Sequence, residues 1–269
     1  MPTASYRDFT NTGAENYERY FVPAIATPVS TGLLAAADLK SGERVLDVAC
    51  GTGVIARLAA ETVGRTGTVT AIDVAPDMID VARTTPAPAV AAIDWHVGDA
   101  TSLPFDDGTY DAVVCQMGLM FMSDRAAAVA EMRRVLAPGG RVVVNTPGAI
   151  QPPFVVLEQA IVAHISADLG GFVRAVFSMH DPDAVAALLR DAGLHEVTAS
   201  VAPVPLRLPA PAEFLWQYIN LTPMGPFVAR ASEAARSAME RQAVEAWKPY
   251  VVDGTIKAEQ PMVVASGRR

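Results

Sequence analysis

The sequence has few of the residues on which disulfide frameworks and metal sites depend. Among 269 residues there are only 2 cysteines and 4 histidines. Cys50 and Cys115 are far apart in the sequence, and neither belongs to a CxxC pattern or to a Cys/His spacing typical of metal ligands. We therefore predict two free thiols, no metal site and a reducing, cytoplasmic environment.

Positive charge is also scarce, and lysine is found only at Lys40, Lys248 and Lys257. The 21 lysines and arginines are outnumbered by 29 aspartates and glutamates, which gives a formal net charge of −8. A surface of this sign repels phosphate backbones, and no local basic patch offsets it. The composition predicts that nucleic acid is not a partner.

Long uninterrupted apolar runs are missing, because Asp, Glu or Arg interrupts every run before the roughly 18 to 20 residues of a membrane helix. The stretch Met1–Thr10 contains Arg7 and Asp8 and has no apolar region typical of a signal peptide. Hydrophobic residues nevertheless make up 51% of the chain and charged residues only 19%. We expect a soluble, folded protein with a sizeable core and no membrane span.

Short β-rich runs alternate with helical runs, which is typical of a parallel sheet covered by helices. The predicted fold class is α/β, with a doubly wound, mostly parallel, seven-stranded Rossmann-like sheet, helices on both faces and helical cap insertions. The predicted strands are Arg44 to Ala49, Thr68 to Asp73, Ile93 to Gly98, Tyr110 to Gln116, Arg141 to Thr146, His195 to Ala202 and Pro261 to Ala265.

The domain organisation follows from where this alternation is interrupted. A mostly helical opening segment, broken by Pro23 and Pro28, precedes the first strand, and two insertions rich in large apolar residues follow the fifth and sixth strands. The predicted parts are an N-terminal segment (1–40), a cofactor-binding core (41–148), cap insertions (149–180 and 203–250) and the completion of the sheet (181–202 and 251–269).

The densest chemical signal is the run Val45–Gly53, a buried strand that leads into a glycine-rich turn and then a helix. Glycines allow the backbone to approach a ligand closely, and a helix N-terminus favours an anionic group. The second strand ends at Asp73, where a carboxylate can bind a ribose diol, and the third ends beside Asp99. Acids therefore follow or end three consecutive strands.

The pattern Gly51-x-Gly53-x-x-Ala56 also fits a nicotinamide dinucleotide fingerprint, which is a weak signal by itself. Asp47 would face a pyrophosphate unfavourably, and Asp99 extends the acidic series beyond that fingerprint. An acid close to the glycines suits a ligand with a cationic amino group beside its carboxylate. S-adenosylmethionine has both groups.

Four motifs carry a resemblance to a known family. Val45–Gly53 resembles motif I of class I S-adenosylmethionine-dependent methyltransferases, and Gly98–Ala100 with Leu103–Asp111 resembles their subsequent signature. Arg133–Gly140 is similar to the segment before their fifth strand. The resemblance covers about residues 40 to 147 and is strongest to the branch of ubiquinone and menaquinone biosynthesis methyltransferases (methyltransferase type 11 domain).

The resemblance implies that the methionine end of S-adenosylmethionine binds over Ala49, Gly51 and Gly53. Asp47 would lie near the amino group of the cofactor, and Gln116, at the end of the fourth strand, would contact the methionine portion.

For the nucleoside end, the resemblance implies that Asp73 binds the ribose hydroxyls. Val74 and Met78 would pack on the faces of the adenine, and Asp99 and the backbone of Ala100 would contact its edge.

Residues outside the core complete the predicted site. The resemblance implies that Tyr17 or Tyr20 closes over the cofactor, and His164 and His180 are the candidates for a general base. Insertions after the fifth and sixth strands are placed to roof the cofactor edge, which predicts an apolar acceptor pocket.

The predicted function is transfer of a methyl group from S-adenosylmethionine to a small, partly apolar molecule by in-line displacement. No metal is needed for this reaction, and the predicted partners are the acceptor and a second copy of the chain in a homodimer. Two alternatives stay open: a non-methylating cofactor- or ligand-binding protein on the same fold, and a nicotinamide-dependent oxidoreductase.

Overall fold

A central sheet of eight strands organises the computed structural model, which describes residues 12–86 and 90–269. Residues 1–11, part of the predicted N-terminal segment and nearly all of the stretch used to exclude a signal peptide, lie outside the described residues. The strands are β1 (Arg44–Val48), β2 (Thr68–Asp73), β3 (Ile93–Val97), β4 (Tyr110–Gln116), β5 (Leu136–Pro147), β6 (His195–Leu208), β7 (Val251–Val252) and β8 (Thr255–Arg268).

The strand order is β3-β2-β1-β4-β5-β8-β6, and β7 pairs with β8. The pairs β1–β2, β1–β4, β2–β3 and β4–β5 are parallel, whereas β8 runs antiparallel to β5. The doubly wound, mostly parallel α/β fold is confirmed. The predicted number of seven strands was wrong by one, because the sequence reading missed the two-residue strand β7.

A tight hairpin explains the extra strand. Asp253 and Gly254 join β7 to β8 with φ values of +51° and +74°. Two consecutive residues with positive φ form the type I′ turn that matches the twist of a two-stranded ribbon, and Asp-Gly is a preferred sequence for it. The dipeptide Asp253-Gly254 was therefore the feature of the sequence that could have predicted the hairpin and its extra strand.

Helices connect the strands and make up most of the insertions. Short 3₁₀ turns lie at Gly64–Thr66, Leu119–Phe121, Ala167–Leu169 and Lys248–Tyr250. The helices are α1 (Gly13–Asn16), a π-type stretch (Tyr17–Ala26), α2 (Thr27–Ala37), α3 (Val54–Val63), α4 (Pro76–Thr84), α5 (Arg125–Val135), α6 (Pro152–His164), α7 (Gly170–Val176), α8 (Pro182–Asp191), α9 (Pro211–Asn220), α10 (Gly225–Arg230) and α11 (Glu233–Trp247).

The opening helical run continues from Gly13 to Ala37 without a break, so the expectation that Pro23 and Pro28 interrupt it was wrong. In the π-type stretch the turns are wider, and the amide of Thr27 donates to the carbonyl of residue 22, five residues earlier. Wider turns leave room for the ring of Pro23, which would collide with the preceding turn of a regular α-helix. Pro28 follows directly after this stretch, as the second residue of α2.

This run is also long and apolar enough to cross a membrane by length and composition. Buried core helices of soluble proteins and N-terminal signal sequences pass the same test, so the finding is weak evidence for a span. It nevertheless differs from the expectation that no segment of the chain approaches a membrane helix, because that expectation counted only uninterrupted apolar runs.

The chain packs as two units. The sheet unit comprises Val29–Gly148, Met179–Ala202 and Pro261–Arg269. Its core lies between the strands and the helices, where Leu46, Val48 and others are fully buried. Parallel strands are covered on both faces, which is why they are continuous Val/Leu/Ile runs rather than alternating patterns.

The helical unit comprises the described N-terminal residues up to Pro28 and both large insertions (149–178 and 203–260). It has its own aromatic core. The ring centroid of Phe154 lies 5.4 Å from Phe177 and 6.2 Å from Phe214, and Phe214 lies 5.6 Å from Trp247. The indole of Trp247 is fully buried and donates to the carbonyl of Pro153 at 2.8 Å. The insertions are therefore folded structure, although their predicted role as a cap, like the predicted division into domains, stays a prediction.

Candidate cofactor site

The chain leaves β1 through a turn with three residues in the left-handed region of the backbone. The φ angles are +56° at Ala49, +56° at Gly51 and +90° at Gly53. This conformation suits glycine but costs an L-residue such as alanine about 1–2 kcal/mol, so the surroundings must hold the turn in place. One such contact is the hydrogen bond from the amide of Cys50 to the carbonyl of Ile72 on β2, at 3.1 Å.

Helix α3 begins directly after this turn, and Gly53 is its N-cap without a side-chain cap. The first amides of a helix have no partners within the helix, so this end of α3 is suited to an anionic group. Gly53 also has a packing role: a Cβ at this position would lie 2.2 Å from the ring of Trp95 on β3. The sequence analysis did not predict this contact of Trp95. The only feature of the sequence that could have indicated it is a bulky aromatic residue on β3, the strand that follows Asp73.

Asp73, at the end of β2, accepts hydrogen bonds from the backbone segments that follow β1 and β2. Its Oδ2 accepts from the amide of Gly51 at 2.8 Å, and its Oδ1 accepts from the amide of Ala75 at 2.9 Å. Burial raises the pKa of Asp73 above its ordinary value, and these two amides oppose the shift. Each carboxylate oxygen keeps a second lone pair, so Asp73 orders the glycine turn and can still accept hydrogen bonds from a diol.

Asp47, on β1, is 1% exposed, and neither of its carboxyl oxygens has a hydrogen-bond partner. Burial raises its pKa to about 8, and the nearby carboxylate of Asp73 also acts in that direction. The amide of Ala56, which lies close without completing a hydrogen bond, and the charge of Arg57 oppose the shift. The hydroxyl of Thr52 is also buried without a partner. The turn therefore has unused hydrogen-bonding groups beneath it.

The residues that follow β2 and β3 present both apolar and polar side chains. Val74 is 68% exposed and Met78 is half-buried, so apolar side chains stand next to Asp73 at the same edge. Asp99 is exposed and its Oδ1 accepts from the amide of Thr101 at 2.8 Å, which lowers its pKa. Ala100, which follows it, is buried.

The end of β4 is fixed by a residue that the sequence reading missed. Asn145, fully buried on β5, accepts from the amide of Met117 with both its backbone carbonyl and its Oδ1 at 3.0 Å. Its amide donates to the side chain of Gln116 at 3.4 Å and to the carbonyl of Val29 at 3.1 Å. Met117 has a φ of +51°, so this strained position is stabilised by a buried side chain. A polar residue inside the apolar run of β5 was the signal.

The turns that follow β1 and β4 touch each other. A Cβ at Gly118 would lie 2.6 Å from the Cβ of Ala49 and 2.8 Å from the sulfur of Cys115. Both cysteines are free and buried, and burial raises the pKa of Cys115 to about 12 and that of Cys50 well above its ordinary value. Neither thiol is therefore activated as a nucleophile.

The remaining predicted residues are described by their contacts within their own units. In the helical unit, Tyr17 stacks on Phe21 with centroids 4.7 Å apart, and the hydroxyl of Tyr20 is buried without a partner. His164 Nε2 lies 2.7 Å from the side-chain oxygen of Gln242, and His180, in the sheet unit, is exposed. The roles of these tyrosines and histidines stay predictions.

Over residues 12–86 and 90–269, no cluster of three or more His, Cys, Asp or Glu side chains is suited to holding a metal ion.

The chain is similar in sequence to known methyltransferases. A family model described as "Methyltransferase domain" matches residues 45–140. Nocamycin O-methyltransferase of Saccharothrix syringae is 30% identical over 261 residues, which cover 90% of each chain. The chloroplastic 2-phytyl-1,4-beta-naphthoquinone methyltransferase of Arabidopsis thaliana is 44% identical over 107 residues, 38% of this chain and 41% of that protein. The chain thus aligns with less than half the length of that relative.

Solved structures resemble the fold. Phosphoethanolamine N-methyltransferase 2 of Haemonchus contortus, in complex with S-adenosyl-L-methionine, has a TM-score of 0.58 at 19% identity, covering 99% of this chain and 60% of that one. The [4+2]-cyclase SpnF has a TM-score of 0.53 at 21% identity, covering 90% and 80%.

The sheet order defines a Rossmann-like α/β protein, and the acids at adjacent strand ends mark a candidate ligand site at the carboxyl edge of its sheet. The chain belongs to the family of S-adenosylmethionine-dependent methyltransferases. The residues present fit that cofactor, because the uncapped end of α3 suits a carboxylate and the unpartnered carboxyl of Asp47 suits a cation.

Proposed function

We propose that the protein transfers a methyl group from S-adenosylmethionine to a small, partly apolar acceptor by in-line displacement. The observation that carries this proposal is that one turn brings together a group suited to a cation and a group suited to an anion. The carboxyl of Asp47 is buried without a partner beneath the turn, and the uncapped N-terminus of α3 begins at its end. A ligand with an ammonium group beside a carboxylate complements both features.

In this proposal the methionine end of the cofactor binds the turn through Ala49, Gly51 and Gly53, with Gln116 on the neighbouring strand end. Bound there, the cofactor supplies a methyl group already activated by its sulfonium. The turn is held open by the bond from Gly51 to Asp73, so little reorganisation is needed when the ligand enters.

The nucleoside end follows the same edge. Asp73 accepts hydrogen bonds from the ribose through its remaining lone pairs, and Val74 and Met78 pack on the adenine. The high exposure of Val74 supports this role, because an isolated aliphatic side chain beside a ligand-binding acid is covered when the ring binds. Asp99 and the backbone of Ala100 contact the adenine edge.

For the acceptor we propose a partly apolar molecule of low molecular weight. The names of two relatives state a naphthoquinone substrate and an O-methylation, which agree with an apolar molecule bearing oxygen. The protein orients acceptor and methyl in line and excludes water, and His164 or His180 removes a proton only if the acceptor requires it.

The formal charge of −8 supports the proposal that nucleic acid is not the acceptor. The same proposal places the enzyme in the cytoplasm, without a membrane span and as a homodimer, and the two free cysteines support the reducing compartment.

The experiment that tests the function measures S-adenosylhomocysteine by chromatography after incubating the full chain with S-adenosylmethionine. Naphthoquinols, phenols and amines serve as acceptors, and the chain with Asp73→Ala is the control for a functional cofactor site. Formation of S-adenosylhomocysteine that depends on one acceptor class supports the proposal. Tight cofactor binding with no turnover on any acceptor contradicts it.

One observation favours a second candidate function. The fold resembles that of the [4+2]-cyclase SpnF, so the same kind of sheet can support a reaction other than methyl transfer. A cofactor-binding protein that does not consume its cofactor would bind S-adenosylmethionine and leave it intact. Binding of NAD without binding of S-adenosylmethionine would support a nicotinamide-dependent oxidoreductase instead.

A further inference from the structure

We propose that Asp47 couples cofactor binding to proton release: its carboxyl group is neutral in the free protein and ionises when the cationic cofactor binds. The inference rests on the proposed function, since it requires S-adenosylmethionine at the turn after β1. It assigns to Asp47 the role of a positioning residue that supplies a counter-charge only when a cation is present.

The position of Asp47 makes its charge state unusual. It lies on the central strand β1, between Ala71 of β2 and Val114 of β4. Its side chain is 1% exposed and neither oxygen accepts a hydrogen bond. An ionised carboxylate that is shielded from solvent and accepts no completed hydrogen bond is strongly disfavoured, even with the amide of Ala56 close by, so the proton stays on the group.

The charged and titratable groups around Asp47 support the neutral form. Asp73, on β2, adds a like charge, and burial keeps the thiols of Cys50 and Cys115 neutral. Arg57, on α3, is the only cation that acts on Asp47 among the described groups, and its effect is smaller than that of burial, so the pKa of Asp47 is about 8.

Arg57 acts on Asp47 through its charge alone among the contacts seen, since neither oxygen of Asp47 accepts a hydrogen bond and Nη1 of Arg57 donates to the backbone carbonyl of Thr52 at 2.7 Å. The hydroxyl of Thr52 is fully buried and unpartnered. Asp47 and Thr52 thus leave unpartnered oxygen atoms at the turn where the proposed function places the cofactor. A ligand that brings an ammonium and a sulfonium to this turn stabilises the ionised form of Asp47.

The expected size of the effect follows from the pKa of about 8. At pH 7 about nine-tenths of Asp47 is neutral in the free protein, so its ionisation releases about 0.9 proton per cofactor bound. The α-amino group of the ligand, with an ordinary pKa of about 8, takes up about 0.1 proton at this pH. The net expectation is release of about 0.8 proton.

The test is isothermal titration of S-adenosylmethionine into the full chain at pH 7 in phosphate and in Tris, two buffers with different ionisation enthalpies. The dependence of the binding heat on the buffer gives the number of protons released. Asp47→Asn removes the titrating group with little change of shape. Asp77→Asn, which removes an exposed carboxylate on the neighbouring helix α4, is the matched control.

The proposal expects about 0.8 proton released by the parent and by Asp77→Asn, and a small net uptake of about 0.1 proton by Asp47→Asn. If Asp47→Asn does not fold, titrations of the parent and of Asp73→Asn at pH 6 decide the question, because the ligand is then fully protonated, only a group of the protein can release about one proton, and release that persists in Asp73→Asn belongs to Asp47. Cofactor binding without proton release in the parent, or equal release in Asp47→Asn, overturns the inference and leaves the proposed function standing. Absence of binding in every variant contradicts the proposed function itself.

Discussion

Replacement of Asp47 by asparagine should change the stability of the cofactor-free protein in a pH-dependent way. The folded-state pKa of Asp47 is about 8, whereas an aspartate in an unfolded chain titrates near 3.9. Between these two values the folded protein holds a proton that the unfolded chain releases. The stabilising contribution of Asp47 is therefore fully present below about pH 4 and is lost as the pH rises towards 8.

The magnitude follows from the separation of the two pKa values. One pH unit corresponds to about 1.4 kcal/mol, so holding this proton lowers the free energy of unfolding by about 4 kcal/mol at pH 7 relative to the low-pH limit, at which Asp47 is protonated in both states. At pH 5 the same term is only about 1.5 kcal/mol. Asparagine has no such proton, and it matches the neutral carboxyl in size. Asp47→Asn should therefore gain about 3 kcal/mol relative to the parent between pH 5 and pH 7.

Urea unfolding of both proteins at pH 5, 6, 7 and 8 measures this difference, because every other titrating group contributes equally to parent and variant. Trp95 is a suitable fluorescent probe, since its ring lies against Gly53 in the same unit, whereas Trp216 and Trp247 report on the helical unit. Asp77→Asn, which removes an exposed carboxylate on the neighbouring helix α4, serves as the matched control. A constant difference for Asp47→Asn over this range would refute the assignment of a neutral Asp47.

The remaining predictions concern the turn and the thiols. Asp73→Ala removes the acceptor for two backbone amides and for the ribose, so calorimetry should show cofactor binding weakened by about 2 kcal/mol, or about 30-fold, and unchanged affinity would remove Asp73 from the site. Gly53→Ala brings a Cβ into the ring of Trp95 at a φ of +90°, so the melting temperature should fall, with a loss above 1 kcal/mol, and a fully stable variant would contradict the packing described. Thiol titration under denaturing, non-reducing conditions should find Cys50 and Cys115 both free, and a count of zero would contradict the reducing compartment.

The positions of the strands could be predicted from the sequence because each parallel strand is an apolar run bounded by turns. The runs that begin at Arg44, Thr68 and Tyr110 start at the predicted residues. Strand ends were less accurate where pairing, rather than composition, sets the length. β5 begins at Leu136, because that residue pairs with Tyr110 across an irregularity in the register, and the sequence there resembles a turn.

The candidate site also has a part that the sequence predicts and a part that it does not. Acids at strand ends are visible in a sequence, since the carboxyl edge of a parallel sheet gathers them, and Asp47 and Asp73 do lie within electrostatic reach of each other. The supports of the site are not visible, because they depend on contacts between distant strands. Asn145 fixes Met117 across β4 and β5, and only the register reveals that contact.

The large apolar residues of the insertions show that composition alone does not distinguish a core residue from a pocket residue. Phe177 and Trp216 belong to the insertions expected to form the apolar acceptor pocket, but they are 7% and 5% exposed. Phe177 packs on Phe154, and the indole of Trp216 donates to Glu240 at 3.0 Å. Truncation of either would therefore lower stability whether or not an acceptor is bound, and only a change in KM without a change in unfolding would reveal a role in binding.

The glycine turn shows why a motif and a mechanism are separate claims. Gly53 is needed both because φ is positive and because Trp95 occupies the space of a side chain, so its presence alone does not demonstrate a ligand. Asp47 gives the stronger argument. A folded core gains nothing from a buried carboxyl without a partner, and an apolar residue of similar size would be more stable there. A residue that destabilises the free protein is best explained by a state in which its charge is used, and a bound cation at the turn is such a state.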